Sequence, residues 1–453
     1  PLDGEEGELV EDEASTSTTR STSPSAPEPK RDFISDLPPE LGLYIFLLLD
    51  LPSIVSASAV ARYWNALSRD SHVWRDLFYS QPHYYINPAR ARRAELAALA
   101  GASSDAATMN GKVPMELTLA LDWQEIFRSR WELDRRWEGK GSADPRITHF
   151  IGHGDSVYCV EYDHQHIISG SRDRTIRIWA TPSTHSASGH DGSVLCLKFD
   201  SATGFMVSGS SDCRILVWDL NELGRDRSEG GSGAVMTPKA TLRGHTMGVL
   251  DLKFDDEWIV SCAKDTTVRL WSRSTLEQEH VFAGHSGPVN AIDMSRATKR
   301  IISASGDGTL ILWDILTRTA VRTFTGHTRG LACVSNSSSR KAPDELIISG
   351  SNDKTIRIWS ARTGECLYVQ QEEGVGHADL VRALAYDQST GRLVSASYDQ
   401  TSIVWDLERV VRGVRQLKGY HSSHIFDVKF DLSRIVSTSH DRTIVVVDFA
   451  ADL

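Results

Sequence analysis

The feature that most constrains this 453-residue sequence is a spacing. An Asp stands six residues before a Trp six times: Asp173/Trp179, Asp212/Trp218, Asp265/Trp271, Asp307/Trp313, Asp353/Trp359 and Asp399/Trp405. A seventh copy, Asp441/Val447, keeps the interval without the Trp. Four residues before each Asp is a serine: Ser169, Ser208, Ser261, Ser303, Ser349, Ser395 and Ser437. Further upstream, 20 to 26 residues before each Asp, lie His153, His190, His245, His285, His327, His377 and His421, all but the last preceded by Gly. A short unit that recurs this regularly cannot bury an apolar face alone, whereas stacked copies can.

The unit resembles the WD40 repeat, and seven copies imply a mainly-β fold, a seven-bladed β-propeller. Each blade is expected to be a four-stranded antiparallel sheet. In it the turn Asp accepts from the histidine, the histidine meets the serine, and the serine reaches the Trp N–H. Seven of the sixteen histidines thereby acquire structural roles, and none is read as catalytic. Cys159, Cys196 and Cys333 share one inner-strand position and read as core. Only five residues follow Asp448, so the last blade lacks a fourth strand of its own, and Ile147 to Phe150 are expected to supply it. His190 follows Trp179 by only eleven positions, so the outer strand of blade 1 is expected to be short or irregular. Two insertions, 221–238 and 336–344, fall in loops of one face and leave the other uncluttered.

Four further segments precede the propeller, itself placed at 146–449. Residues 1–31 mix nine Ser/Thr and four Pro with acids and have little apolar bulk, so they read as a disordered tail. Ser23-Pro24 there reads as part of a solvating segment. Residues 32–80 carry helical periodicity, with Asp36 as expected cap and Pro38 and Pro39 in the first turn. So small a Leu- and Trp-rich module buries its apolar face poorly alone, which predicts docking on a partner or on the rest of the chain. Residues 81–114 read as an Ala-rich, loosely ordered insertion. Residues 115–141 read as a helical linker, opened by an Asp122/Glu125 capping box.

The net charge of −11 argues against a general nucleic-acid or anionic-membrane surface. More than half of it, −6, sits in residues 1–30. The six cysteines form no Cys-x-x-Cys pair, so no metal site and no cofactor is expected, and their sparseness suits a reducing compartment. Leu41 to Leu51 is about half the ~20 residues of a membrane helix. No signal peptide is read at the N-terminus, and a start at Pro1 rather than Met suggests upstream sequence.

On the uncluttered face stand the residues before each turn Asp (Arg172, Ser211, Lys264, Gly306, Asn352, Tyr398, His440). With them stand those one position into each inner strand (Tyr158, Leu195, Leu250, Asn290, Ala332, Arg382, Phe426). Arg172, Lys264, Arg329 and Arg382 thus converge on one funnel. Four cations there repel one another, a cost that an anion would offset, and a phosphate offers Arg a bidentate partner.

Asp36-Leu37-Pro38-Pro39-Glu40-Leu41, followed by Ile45, Leu48, Leu51, Trp64, Leu67, Asp70 and Trp74, resembles the F-box. A small all-α F-box, a helical linker and a WD40 propeller together resemble substrate receptors of SCF (Skp1–cullin–F-box) ubiquitin ligases. The resemblance implies that Leu37, Pro38, Leu41, Ile45, Leu48, Leu51, Trp64, Leu67 and Trp74 face Skp1, and through it cullin, a RING subunit and an E2. Within that group the chain is most similar to the beta-transducin repeat-containing family. Matching strings include Val157-Tyr158-Cys159, Arg172-Asp173, Ser193-Val194-Leu195-Cys196, Lys264-Asp265, Val289-Asn290, Arg329-Gly330-Leu331-Ala332-Cys333, Leu380-Val381-Arg382 and Tyr398-Asp399. The resemblance covers about residues 33–80 and 115–449.

It implies a non-enzymatic receptor for a doubly phosphorylated Asp-Ser-Gly-x-x-Ser degron. Arg172, Tyr158, Arg382 and Tyr398 would hold phosphate and the Asp. Arg329, Ser193, Ser211 and Asn290 would hold the remaining polar groups, and Leu195, Leu250 and Ala332 would line the channel, with Lys264 and Gly330 in the same ring. His424 stands where the family carries Arg, which makes one anion contact pH-dependent. No dimerisation segment is evident before the F-box, and homodimerisation stays open. Cytoplasm and nucleus are the expected compartments. The alternative is a phosphopeptide-binding scaffold that works without cullin.

Overall fold

The computed structural model describes residues 32, 34–81, 83–86, 122–180, 184–221, 235–337, 345–370, 376–407 and 411–453. The acidic tail, most of the Ala-rich insertion and the tips of both loop insertions lie outside them. The chain divides into two compact units, residues 1–124 and 125–453.

In the first unit, α1 (Pro39–Leu47), α2 (Leu51–Ser58), α3 (Arg62–Ser68) and α4 (Ser71–Ser80) follow one another closely. Asp36 does not cap α1. Pro39 pushes Pro38 into extended backbone (φ −52°, ψ 142°), so the helix starts only at Pro39 and Asp36 is left exposed in the preceding turn. The caps that do form are Asp50, accepting from the Ser53 amide at 3.0 Å, and Asp70, accepting from His72 at 2.8 Å. Phe46, Ile54, Val73, Trp74, Leu77 and Phe78 form the interior. Trp74 is a correction: it is 4 % exposed and donates its indole N–H to the Ser68 carbonyl at 2.7 Å. It shapes the module and offers no docking surface. Leu41, Tyr44 and Leu48 lie on the opposite side of α1, 51 to 72 % exposed.

In the second unit the described residues form seven antiparallel sheets, ordered as the repeats are. The last is completed by Arg146–Ile151, which pairs with Thr443–Asp448 from Arg146↔Asp448 to Ile151↔Thr443. The first and last strands of the ring thus share one sheet, in which Thr443–Asp448 is paired on both sides and Arg146–Ile151 takes the outer edge. Blade 1 departs from expectation. Its outer strand, Thr184–Ser188, pairs regularly with Thr175–Ala180, without the register shift seen at the same place in blades 3 to 6. Its outer edge also gains a parallel strand, Val235–Met236, from the first loop insertion. The missing residues were taken from the turn and not from the strand.

The polar relay holds the blades together. In blade 1, His153 Nδ1 lies 2.9 Å from Asp173, His153 Nε2 lies 2.8 Å from Ser169 Oγ, and Trp179 donates to that Oγ at 2.9 Å. With a neutral ring one proton arrangement fits: Trp donates to Ser, the Ser hydroxyl donates to Nε2, and Nδ1–H donates to the carboxylate. The other five Trp-containing blades repeat it, and blade 7 keeps the His421–Asp441 and His421–Ser437 contacts. The residue after each turn Asp has positive φ, and only at Gly308 is it a glycine.

The helix α5 (Trp123–Trp137) ends on the last blade. Trp137 donates to the Leu432 carbonyl at 2.9 Å, Arg136 donates to the carbonyls of Phe449 and Ala451, and Arg392 meets Asp134 at 2.6 Å.

Candidate functional site

Every inner strand carries one register shift, and the residue it leaves unpaired is the second of the strand. The shifts fall at Val157/Cys159, Val194/Cys196, Val249/Asp251, Val289/Ala291, Leu331/Cys333, Val381/Ala383 and Ile425/Asp427. The bulged residues are therefore Tyr158, Leu195, Leu250, Asn290, Ala332, Arg382 and Phe426, and all seven line the central cavity. A bulge re-aims a side chain that regular pleating would place elsewhere. The fold thus builds a ring of seven side chains at the channel mouth, one per blade.

Above this ring sit the turn residues. Arg172 is exposed, with Nε 3.7 Å from the Asp155 carboxylate. Arg382 is half-buried and donates to the Ala332 carbonyl at 3.3 Å, which fixes its stem across the mouth. Tyr158 sits among these groups. Burial raises its phenol pKa, the Asp155 carboxylate and Tyr398 push the same way, and Arg172 and Arg382 oppose them. Tyr158 packs on Phe426 (4.9 Å between centroids), Phe426 on Tyr398 (5.7 Å), and Tyr398 stacks on His424 (4.5 Å, 26° between planes). One sector of the mouth is therefore a continuous aromatic wall with two guanidinium groups beside it.

The other expected residues are spread around the ring. Ser193 and Ser211 bond to each other, the Ser193 amide donating to Ser211 Oγ at 2.9 Å. Asn290, which lines the cavity, donates from Nδ2 to the Leu331 carbonyl at 2.6 Å. Lys264 and Arg329 are exposed, on blade 3 and at the start of blade 5. At Gly330 a Cβ would come within 2.8 Å of the Gly306 carbonyl oxygen, so only glycine lets the two blades approach there.

Two features were not singled out from the sequence. Phe426 and His440 complete the aromatic wall, with centroids 6.2 Å apart; the positional rule that gave Arg382 and Tyr398 names both. Below the mouth lies a charged belt of Glu161, Lys198, Asp251, Lys253, Asp293, Asp427 and Lys429. Lys198 pairs with Glu161, Lys253 with Asp293 at 3.3 Å, and Lys429 with Asp427 at 3.0 Å. Burial lowers the Lys429 pKa, but Asp427 and Glu161 outweigh it and hold the ammonium charged. The signal was the charged fifth residue of most inner strands. Cys159, Cys196 and Cys333 are buried, and burial lifts their thiols, Cys333 to about 12, so they are inert.

Comparison with known proteins gives a consistent picture. The "WD domain, G-beta repeat" family matches residues 145–180, 182–219, 236–272, 276–314, 318–360 and 364–406, and the "F-box-like" family matches 34–80. The seventh repeat, without its Trp, escapes the sequence match but folds as a blade. Cell division control protein 4 of Saccharomyces cerevisiae is 26 % identical over 408 residues, 84 % of this chain and 43 % of that protein. WD repeat-containing protein pop1 of Schizosaccharomyces pombe is 23 % identical over 377 residues, 80 % of this chain and 43 % of that one. An F-box protein of S. cerevisiae is 30 % identical over 162 residues, 33 % of this chain and 23 % of its own length. The chain spans less than half the length of these three curated relatives. Among solved structures, the WD40 β-propeller domain of Doa1 superposes with TM-score 0.56 at 22 % identity, covering 66 % of this chain and 95 % of that one; this likeness concerns the fold alone.

Proposed function

We propose a substrate-receptor role for this chain, which belongs to the WD domain, G-beta repeat family and carries an F-box-like segment. The chain is the recognition subunit of an SCF-type ubiquitin ligase. The exposed apolar side of α1 docks on Skp1, and the propeller mouth binds phosphorylated peptides of the Asp-pSer-Gly-x-x-pSer kind read by the beta-transducin repeat-containing family. One observation carries this reading: seven bulged strands place Arg382 and Tyr158 beside Arg172 and Tyr398 at a single opening. Guanidinium groups supply charge-assisted donors for phosphate, and the phenols supply neutral ones. Leu37, Pro38, Leu41, Ile45, Leu48 and Leu51 form the Skp1 surface, with half-buried Trp64 and Leu67 bracing it.

The receptor supplies no catalytic group of its own. Its contribution is proximity: a substrate held near a ubiquitin-charged E2 reacts as if intramolecularly, an effect worth about 7–11 kcal/mol where geometry is ideal. Residence in cytoplasm and nucleus is part of the same proposal, and a homodimer is compatible with it.

The test is co-purification of the full chain with Skp1, with peptide binding measured in parallel. Leu48→Asp places a charge on the exposed apolar residue that ends α1 and is expected to abolish Skp1 capture while leaving peptide binding intact. A folded chain that binds phosphopeptide and ignores Skp1 would move the reading to a cullin-independent scaffold.

A further inference from the structure

The inner strands run on from the mouth to the other end of the propeller axis. Their fifth to eighth positions lie ~10–20 Å beyond the bulged second residue, at the usual rise of a strand. In blades 1 to 4 these positions enclose a second cavity, of about 400 Å³. Glu161, Lys198 and Lys253 line both this cavity and the one under the mouth, so the charged belt stands between the two. The volume falls in the range of small-ligand sites, about 300–1,000 Å³.

Hydrogen-bonding capacity in the walls is lopsided. The carboxylates already hold donors. Asp163 accepts from the amides of Gln165 and His166 at 2.7 and 2.6 Å, and Asp200 accepts from the Ala202 amide at 3.0 Å and Thr203 Oγ1 at 2.7 Å. Burial raises both carboxyl pKa values, and these donors outweigh it. Glu161 meets Lys198 and, at 3.8 Å, Lys429.

The cations are less fully engaged. Lys198 has Glu161, and Lys253 has Asp293 at 3.3 Å; an ammonium carries three N–H donors, so each has some to spare. Burial lowers the Lys198 pKa, Lys253 and Lys429 push the same way, and Glu161 opposes them. Arg296 is exposed at the rim, and among the described residues its guanidinium makes no hydrogen bond or ion pair. Tyr162, Phe199, Phe254 and Met294 give the same cavity an apolar wall.

We propose that this cavity is a second binding site, for an acidic peptide segment in which an apolar side chain adjoins a carboxylate. Arg296 and the spare donors of the belt lysines take the carboxylate through charge-assisted hydrogen bonds, and the aromatic rings and Met294 take the apolar neighbour. A cationic ligand would meet three cations and carboxylates that already hold donors. Arg172, Tyr158, Arg382 and Tyr398 do not line this cavity, so it can fill independently of the mouth.

The experiment uses the full chain and two peptides, Leu-Glu-Leu-Glu and Leu-Gln-Leu-Gln, acetylated and amidated so that only side chains carry charge. Calorimetric titration at pH 7.5 is expected to show the Glu peptide binding about tenfold more tightly than the Gln peptide. Arg296→Glu should weaken the Glu peptide about tenfold, because attraction to an exposed charge gives way to repulsion of similar size. Ser201→Trp fills the cavity from an exposed position on its lining and should abolish binding. Arg382→Ala, at the mouth, should leave the Glu peptide bound as before. No binding of the Glu peptide, equal binding of the Gln peptide, or full binding by either Arg296→Glu or Ser201→Trp overturns the proposal. Loss of binding in Arg382→Ala places the peptide at the mouth and overturns it as well.

Discussion

The indole of Trp137 lies on the ring of Phe449, with centroids 4.1 Å apart and 19° between planes. Trp137 is the last residue of α5, and Phe449 directly follows the final strand of the propeller, so the stack ties the linker helix to the blade that closes the ring. Arg392 lies over the same indole at 5.2 Å. Trp137→Ala would leave a large cavity there and is expected to lower stability by about 3–5 kcal/mol. Trp137→Phe keeps the stack and loses the bond to Leu432, at about 1 kcal/mol. Urea unfolding of the full chain checks both, and equal midpoints for the two variants would contradict the stacking argument.

Ring closure makes a second prediction. A chain starting at Gly152 would lack Arg146–Ile151 and leave Thr443–Asp448 as an open, Val-rich edge. Such an edge exposes a row of unpaired amides and carbonyls, which invites pairing with another chain. The shortened chain is expected to lose its cooperative thermal transition and to associate. A transition unchanged in temperature and sharpness would mean that the last blade stands on three strands.

Much of this was legible because the repeat is a physical unit. Each Ser, His and Asp of the relay satisfies another, so the spacing alone implied the contacts now seen at His153 and Ser169. The mouth was legible by position, since a bulge at the same place in all seven inner strands aims one residue per blade. What escaped depended on competition between local rules. Asp36 is a good capping residue, but Pro39 ruled out a helical turn before it. Trp74 shares the periodicity of the exposed residues, and only tertiary packing buries it. The shortness of blade 1 could have been lost from strand or turn, and periodicity does not distinguish the two.

The relay also sets a pH dependence. Burial lowers the imidazole pKa of His190, His245 and His285, against the pull of Asp212, Asp265 and Asp307. These rings stay neutral in the fold, whereas the unfolded chain protonates them near 6.5. Their contribution is therefore whole above that pH and lost as pH falls below it. Asp307 and Asp399 act lower down. Burial raises their carboxyl pKa values, but donors outweigh it — Thr309 and the Ser286 amide at Asp307, His377 and Thr401 at Asp399 — and hold both at about 2. Their stabilisation is complete above about 4 and disappears as pH falls toward 2. Urea midpoints between pH 7.5 and 3 are expected to fall in two stages, the first beginning near 6.5. His245→Gln should shrink that first stage, and a midpoint independent of pH down to 4.5 would contradict the buried neutral imidazoles.

Arg382 gives the sharpest test of the mouth. It is the cation among the seven bulged residues, it is half-buried, and its bond to the Ala332 carbonyl holds it in place before any ligand arrives. Preorganisation of this kind reduces the ordering entropy lost on binding. Arg382→Ala is expected to weaken a diphosphorylated Asp-Ser-Gly-x-x-Ser peptide by about 2 kcal/mol, the loss of a charge-assisted contact. Arg382→Lys should restore only part of it, because an ammonium cannot make two parallel bonds to one phosphate or carboxylate. Lys264→Ala, on an exposed turn of blade 3, should cost less than 1 kcal/mol and lose its effect in high salt. Calorimetric titration at fixed ionic strength separates these cases. Equal affinity of the unmodified chain for phosphorylated and unphosphorylated peptide would remove the phosphate from the site altogether.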